Sequence, residues 1–527
     1  MECFRQNDPK ALFLFFTVMK YKMIKYWCFF LTLPLFSFGQ KHDYTWLFGY
    51  ESDLSTPGIE GVRMNFNQQP PVVTPISLGV SLNISNAMIS DSSGNLLFYT
   101  DGCRVIGADH QLLENGDGLN PGEVRDIQCE GDGLGYTAGV QSCLVLPHPT
   151  NSNLYYLFHK HIIYEYEPVF RVITDALYYS LIDVSLKSGN GSIIDKNVVL
   201  IDETLTYGQL TATKHANGKD WWIITAGYHN NKYYIFLLSQ DGIELSSIQE
   251  IGVLAEDGGQ ANFSPDGTKY ARYNALDGVY IFDFNRGTGN LNDFHHLEIP
   301  TENISDGIAF SSNSRFLYIC TRDTIFQYDM ESPSLEFSQQ VVAVYDGYQS
   351  LFNTTFFNAQ LAPDCKIYIN TFAAVDVLHV IHNPNEPGIA CNVEQHAIQL
   401  PFWHLRTLPY FPNYRLGPLV EGEDPPPPCE AVVFTKEEEP PSRQKAYVFP
   451  NPAPGYFKVV FEEALRQPGR VVLYNGLGQA VLEEVLGAGS REFRLEVGDV
   501  PPGLYFYSVL LEGALVKGGK LVVVCGW

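Results

Sequence analysis

The sequence predicts an all-β protein in two parts, a body of repeated β-hairpins and a small C-terminal sandwich. Composition is the first reason. The chain holds 45 Gly and 32 Pro and is 13% aromatic, which suits strands joined by tight turns. The second is one strand–turn–strand pattern that recurs across residues 83–370. The third is a proline-rich tether, after which the text changes character. At 527 residues the chain is too long for one ordinary core, so more than one domain is expected.

Residues 1–40 read as a signal peptide region. In "MIKYWCFFLTLPLFSFGQ", Lys25 precedes an apolar run of about a dozen residues that closes on small residues, the pattern of a secretory signal. Cleavage is expected near Gly39 or Gln40, and Met23 is a candidate true start. Cys28 lies inside the apolar run, which argues against a lipoprotein signal, and Lys20, Lys22 and Lys25 argue against a membrane anchor. Export permits disulfides. Eight cysteines follow the signal and none forms a C-x-x-C pair, so zinc and redox motifs are unsupported. Two of Cys103, Cys129 and Cys143 are expected to staple a Gly/Asp-rich loop, and Cys391 with Cys429 is a second candidate bridge.

Residues 41–418 carry the repeat. Its copies are "NAMISDSSGNLLFYT" from Asn86, "QSCLVLPHPTNSNLYYLF" from Gln141 and "QLTATKHANGKDWWIIT" from Gln209. "QANFSPDGTKYARY" follows from Gln260, "GIAFSSNSRFLYIC" from Gly307 and "NAQLAPDCKIYIN" from Asn358. Pro presets φ in such turns, Asp or Asn bonds the nearby backbone, and Gly accepts the left-handed conformation. The start points lie 55, 68, 51, 47 and 51 residues apart, a period that indicates a radial β-repeat. The expected fold is therefore a six- or seven-bladed β-propeller. The segments "YTWLFGYES…GVRMNFN" and "HAIQLPFWHLRTLPYF" together are expected to supply a seventh unit and close the ring.

The "SPDG" hairpins resemble those of WD40-like propellers, although no Trp-Asp dipeptide ends the blades. The order "WLFG…SNAMISDSSGNLLFYTDG…LPHPTNSNLYYLF…PNYRLGP" resembles a group of exported Bacteroidetes propeller proteins. That resemblance implies a fold and carries no agreed activity.

Residues 419–444, rich in Pro and Glu, read as an extended linker. Residues 445–524 return to short alternating segments and predict a small Ig-like antiparallel sandwich. They resemble the type A C-terminal sorting domain of the type IX secretion system. The matching pieces are Pro450-Asn451-Pro452 after Phe449, then Gly455, Gly478-Gln479, Gly503 and Tyr505 in "PPGLYF", and Lys520 in "KLVVV". The resemblance implies recognition by the outer-membrane export machinery, removal of the domain, and release or attachment at the cell surface.

The net charge is −25, and residues 445–524 contain eight basic and eight acidic side chains, so the acidity lies upstream. An acidic body argues against nucleic acid and against anionic membranes. Five of six repeat copies open on an amide, namely Asn86, Gln141, Gln209, Gln260 and Asn358. At one channel mouth such amides could hold a sugar or peptide, or they could pin neighbouring backbone. His159 and His161 share a strand face and could ligate a metal with a third group such as Glu165 or Asp101. Glu114, Asp117, Glu123, Asp126, Glu130 and Asp132 make an oxygen-rich loop that could take calcium, though its spacing is not that of an EF-hand. No other cofactor is expected.

No nucleophile elbow, H-E-x-x-H helix or phosphate-binding glycine loop is present. Asp101, Asp257 and Asp306 are the carboxylates from which a channel glycosidase pair could come. The expected protein is an exported or surface-attached binding propeller with a glycan or protein ligand. The alternatives are a glycoside hydrolase or lyase on the same scaffold, and a structural adhesion component.

Overall fold

The computed structural model describes residues 40–51, 58–130, 135–255, 258–299, 307–420, 446–461, 463–475, 479–511 and 514–524. Residues 1–39 of the predicted signal region, residues 421–444 of the linker, Asp132, Asp257, Asp306, Cys429 and Gly478 lie outside the described residues. Contacts divide the chain into one unit up to Ala431 and a second from Val432.

Each repeat copy forms the first two strands of a four-stranded antiparallel sheet, and the first two of these sheets are joined edge to edge by a parallel pairing of Ser192 with Glu114 into one eight-stranded sheet. The first strands are Ala87–Ser90, Cys143–Pro147, Thr211–Lys214, Gln260–Phe263, Gly307–Phe310 and Phe356–Leu361. The turn chemistry does what the sequence requires of it. In "SPDG", the Gly267 N–H donates to Ser264 O at 2.7 Å, and Asp266 Oδ1 accepts from Thr268 N at 2.9 Å. Gly267 has φ +73°, and a Cβ there would lie 2.7 Å from Thr213 Oγ1, so both backbone and space demand glycine.

Three strands, Thr45–Gly49, Gly61–Asn65 and Val72–Ile76, add a further sheet ahead of the six. Apolar clusters join these seven sheets in sequence. Trp222 and Ile224 meet Tyr270 and Phe282, Ala271 and Ile281 meet Ile308 and Ile319, and Ala309 and Tyr318 meet Ala359 and Ile369. Leu47 of the N-terminal sheet packs on Met88 and Tyr99 of the next, while Trp46 and Phe48 pack on Tyr368 and Leu378 of the last. Burial of both sheet faces against neighbours is the main apolar stabilisation of such an array.

The C-terminal part of the body departs from expectation in one respect. Val393–Leu405 forms the outer strand of the last sheet, but residues 407–418 form no ladder. They run on the axial side instead. Asn86 Nδ2 donates to Leu408 O at 3.2 Å, Gln360 Oε1 accepts from Phe411 N at 3.2 Å, and Tyr414 Oη donates to Val145 O at 2.8 Å. The segment thus stands where the N-terminal sheet would have its innermost strand, bonded by side chains rather than by backbone. Arg415 fixes its end through Asp43 at 2.5 and 2.8 Å, and Arg286 Nη2 donates to Gly417 O at 2.6 Å.

Cys103–Cys129 is a disulfide, while Cys143 beside it is a buried free thiol. The candidate Cys391–Cys429 bridge is not formed, because Cys391 is a free thiol packed between the last two sheets. Cys365 is disulfide-bonded.

The second unit is a two-sheet sandwich. Ala446–Phe449, Tyr456–Phe461 and Glu492–Glu496 make one sheet; Ala453–Pro454, Gly469–Tyr474, Ala480–Leu486, Gly503–Leu511 and Ala514–Val524 make the other. Phe457, Val459, Val471, Leu473, Val509 and Leu521 fill its own core.

Candidate functional site

The five amides lie where the inner strands begin, and all are at most 2% exposed. Burial forces an amide to find partners, and these find them on backbone. Gln141 donates to Ala261 O at 2.8 Å and accepts from Ala261 N at 2.7 Å, two sheets away. Gln260 donates to Ala359 O at 2.6 Å and accepts from Ile308 N at 3.0 Å and Ala359 N at 3.1 Å. Gln209 donates to Gly258 O at 2.5 Å, Asn86 to Leu408 O, and Asn358 Oδ1 accepts from Tyr410 Oη at 3.1 Å. These side chains lace the sheets together across the axis. Asn86 Oδ1, Gln209 Oε1 and Asn358 Nδ2 keep no protein partner. They are suited to buried water, which satisfies isolated polar atoms of this kind.

His159 and His161 do share a face, and it is covered by the insertion between the second and third sheets. His159 is fully buried between Asn120 Oδ1 at 2.7 Å and Ser180 Oγ at 3.0 Å, and burial, with His161 nearby, pushes its pKa down to about 3. His161 Nδ1 meets Asp175 at 2.6 Å and Nε2 meets Pro121 O at 3.0 Å. Burial opposes its charge, but Asp175 outweighs burial and raises its pKa. Both rings spend both nitrogens on protein. Among the described residues no three His, Cys, Asp or Glu side chains gather as a metal site.

The insertion's carboxylates are also engaged. Arg125 bridges Asp117 at 2.7 Å and Glu130 at 3.2 Å, and Lys187 meets Glu114 at 2.5 Å. Asp101 accepts from the backbone N–H of Cys103 and Arg104, both at 2.8 Å, and burial raises its pKa to about 6 despite those bonds.

What the insertion supports is a hairpin. Strands Leu154–Glu165 and Arg171–Asp183, of 12 and 13 residues, form a hairpin longer than the second and third strands of any other sheet of the body. Turns of a meander alternate between two ends, which puts the hairpin tip at the end where the inner strands begin. The tip carries Tyr164, Tyr166 and Phe170, whose ring centroids lie 5.3–6.2 Å apart. Tyr166 is 55% and Phe170 59% exposed. The short helix Glu123–Gln128 braces them: Gln128 donates to Tyr164 Oη and Tyr166 Oη donates to Glu123, each at 2.9 Å. Tyr136 Oη accepts from Ile162 N at 2.8 Å lower on the same strand. None of the three tip aromatics is among the candidate residues read from the sequence, although the run "YEYEPVF" between two apolar stretches marks them.

In the tail the sequence-separated motif pieces meet. Pro450-Asn451-Pro452 is the corner where the chain leaves one sheet for the other. Asn451 Nδ2 donates to Lys520 O at 2.8 Å and its Oδ1 accepts from Val522 N at 2.9 Å, so one side chain pairs with the terminal strand as backbone would. Gly503 and Tyr505 pair in register with Val523 and Leu521 of that strand. Gly455 has φ +87° and its carbonyl accepts from Val497 N, and Gln479 closes a hairpin with Asn475. Residues 447–524 match the family of the secretion system C-terminal sorting domain. The tail is a secretion-system sorting domain.

A sorting domain of this family marks a protein exported through the type IX secretion system to the cell surface or the extracellular space, and its partner is that machinery. No helix among the described residues is long and apolar enough to cross a membrane. No curated protein matches the chain. Beyond the sorting domain, a putative 6-phosphogluconolactonase from Bacteroides fragilis is similar at 13% identity and TM-score 0.41, over 68% of this chain and 96% of its own. One from Bacteroides uniformis has 12% identity and TM-score 0.37, over 86% and 100%. The Dos1 propeller has 11% identity and TM-score 0.33, over 62% and 87%.

Proposed function

We propose that this protein is an exported binding propeller that holds a polysaccharide at the aromatic hairpin tip, after the sorting domain has delivered it across the outer membrane. The observation that carries this reading is the exposed Tyr164–Tyr166–Phe170 cluster on a braced hairpin. Large exposed rings are costly to leave in water without use, and their faces suit the C–H faces of sugars. Bracing by Glu123 and Gln128 fixes the rings before binding, which lowers the entropy lost on association. The buried amides serve this reading as framework.

The test is a glycan array combined with a polysaccharide pull-down, using the wild type and the Tyr166→Ala/Phe170→Ala pair. Retention of a polysaccharide by the wild type and its loss in the variant are expected, with the melting temperature unchanged because both rings are exposed. Equal retention by the two proteins rejects the tip as the site. Chain shortening of the bound glycan would favour a hydrolase or lyase instead.

A further inference from the structure

At the opposite end of the sheets, beneath the first turns of the second, third and fourth, lies a pocket of about 500 Å³. Lys214 ends the inner strand of the fourth sheet and lines this pocket, yet it is 4% exposed. Its Nζ donates to Lys219 O at 3.1 Å and sits 3.8 Å from the Trp221 ring centre. Among the described residues no carboxylate pairs with it. Asp91, the carboxylate lining the same pocket, already accepts from Ser93 N, Asn95 N and Asn95 Nδ2. A buried ammonium without a counter-ion is costly, and an anion entering the pocket would remove that cost.

The rest of the lining narrows the anion. His148 Nδ1 accepts from Thr150 N at 3.2 Å and Asn151 N at 3.1 Å, so its proton sits on Nε2. His42 points Nδ1 at Ser90 O, 2.6 Å away, which leaves Nε2 as an acceptor when the ring is neutral. Ser92, Ser152 and Asn153 add hydroxyl and amide groups, while Tyr155 and Pro147 add apolar faces. The volume is too large for an inorganic anion alone, and donors and acceptors alternate as they would around a polyol.

We propose that this pocket binds a small hydroxylated carboxylate of sugar-acid size, its carboxylate on Lys214 and its hydroxyls on His42, His148 and the serines. Burial also pushes the Lys214 pKa down to about 7, with Arg286 adding to the effect and Asp220 opposing it, so an arriving carboxylate would restore the ammonium. The site is independent of the aromatic tip.

Isothermal titration of the full chain with D-glucuronate, D-glucose and inorganic phosphate tests it. The expected result is binding of glucuronate, with glucose and phosphate each weaker by about tenfold or more. Lys214→Met should weaken glucuronate by a similar factor and leave glucose unchanged. Equal binding of glucose, equal binding of phosphate, or no heat with glucuronate at millimolar concentration overturns the proposal. Because Lys214→Met removes a buried group, a second measurement uses the wild type alone. Acetylation at pH 7.5, read by peptide mass spectrometry, should modify Lys214, and glucuronate should protect it several-fold while the exposed Lys219 reacts as before. Unchanged acetylation of Lys214 with glucuronate present overturns the site.

Discussion

At the scale of single residues, burial decides which charges matter. Asp43 is 4% exposed at its side chain and Arg415 10%, and together they clamp the axial segment to the N-terminal sheet. Arg415→Met should cost about 3 kcal/mol or more in urea unfolding, because it strands a buried carboxylate. Arg494→Met, which breaks an exposed pair with Glu496, should cost less than about 1 kcal/mol. Equal losses would show that burial does not set the difference. Acid is the second lever. His159, His379 and His404 are buried neutral, with pKa values pushed by burial to about 3, about 3 and about 4. Their unfolded forms take up protons near 6.5, so their contribution is intact above that pH and is lost as pH falls toward the folded values. Asp101 works the other way, gaining stability as pH falls through about 6. His161, raised by Asp175, acts with Asp101, but the three buried histidines carry the larger shifts, so the melting temperature should drop between pH 6.5 and 4, and a flat or rising profile would contradict the assignment.

At the scale of elements, the sequence was legible wherever local chemistry sufficed. The strand–turn–strand copies fall on real strand pairs because Pro, Asp and Gly act within four residues of one another. Two features were not legible. Residues 407–418 keep the apolar and aromatic text of a strand, yet they bond through Asn86, Gln360 and Tyr414, contacts that span 322, 51 and 269 positions. The partners of the amides and histidines were equally hidden, since spacing shows that His159 and His161 share a face but not that Asn120 and Pro121 cover it. The insertion supplies the prediction at this scale. The Cys103–Cys129 link closes 26 residues, and a loop of that size is worth about 3 kcal/mol. A Cys103→Ala/Cys129→Ala protein should show faster hydrogen exchange in Ile162 and Tyr164 and weaker polysaccharide retention, while exchange in the strands Lys269–Asn274 and Phe316–Cys320 stays slow. Uniform acceleration would mean that the insertion stabilises the whole body rather than the tip.

At the scale of the molecule, two cores imply two separable tasks. The sandwich buries Phe457, Val471 and Leu521 among its own strands, and the body has apolar clusters of its own. Deleting residues 445–527 should therefore leave the body folded with its melting transition intact, and should hold it in the periplasm, because the sorting domain is gone. Fractionation read by immunoblot, beside a melting curve of the retained protein, checks both halves. Normal surface delivery would remove the export role, and loss of the melting transition would mean that the units are not independent. A second truncation locates the true end of the body. Stopping after Leu405 keeps every strand of the seven sheets but removes Tyr410, Tyr414 and Arg415, each at the axis. That loss uncovers Trp46 and Trp221, which pack on Phe411 and Tyr414, and leaves Asp43 unpaired. This shorter protein should fail to melt cooperatively, although its strand content is complete. If it melts like the first truncation, the axial segment is an ornament and the sheets close without it.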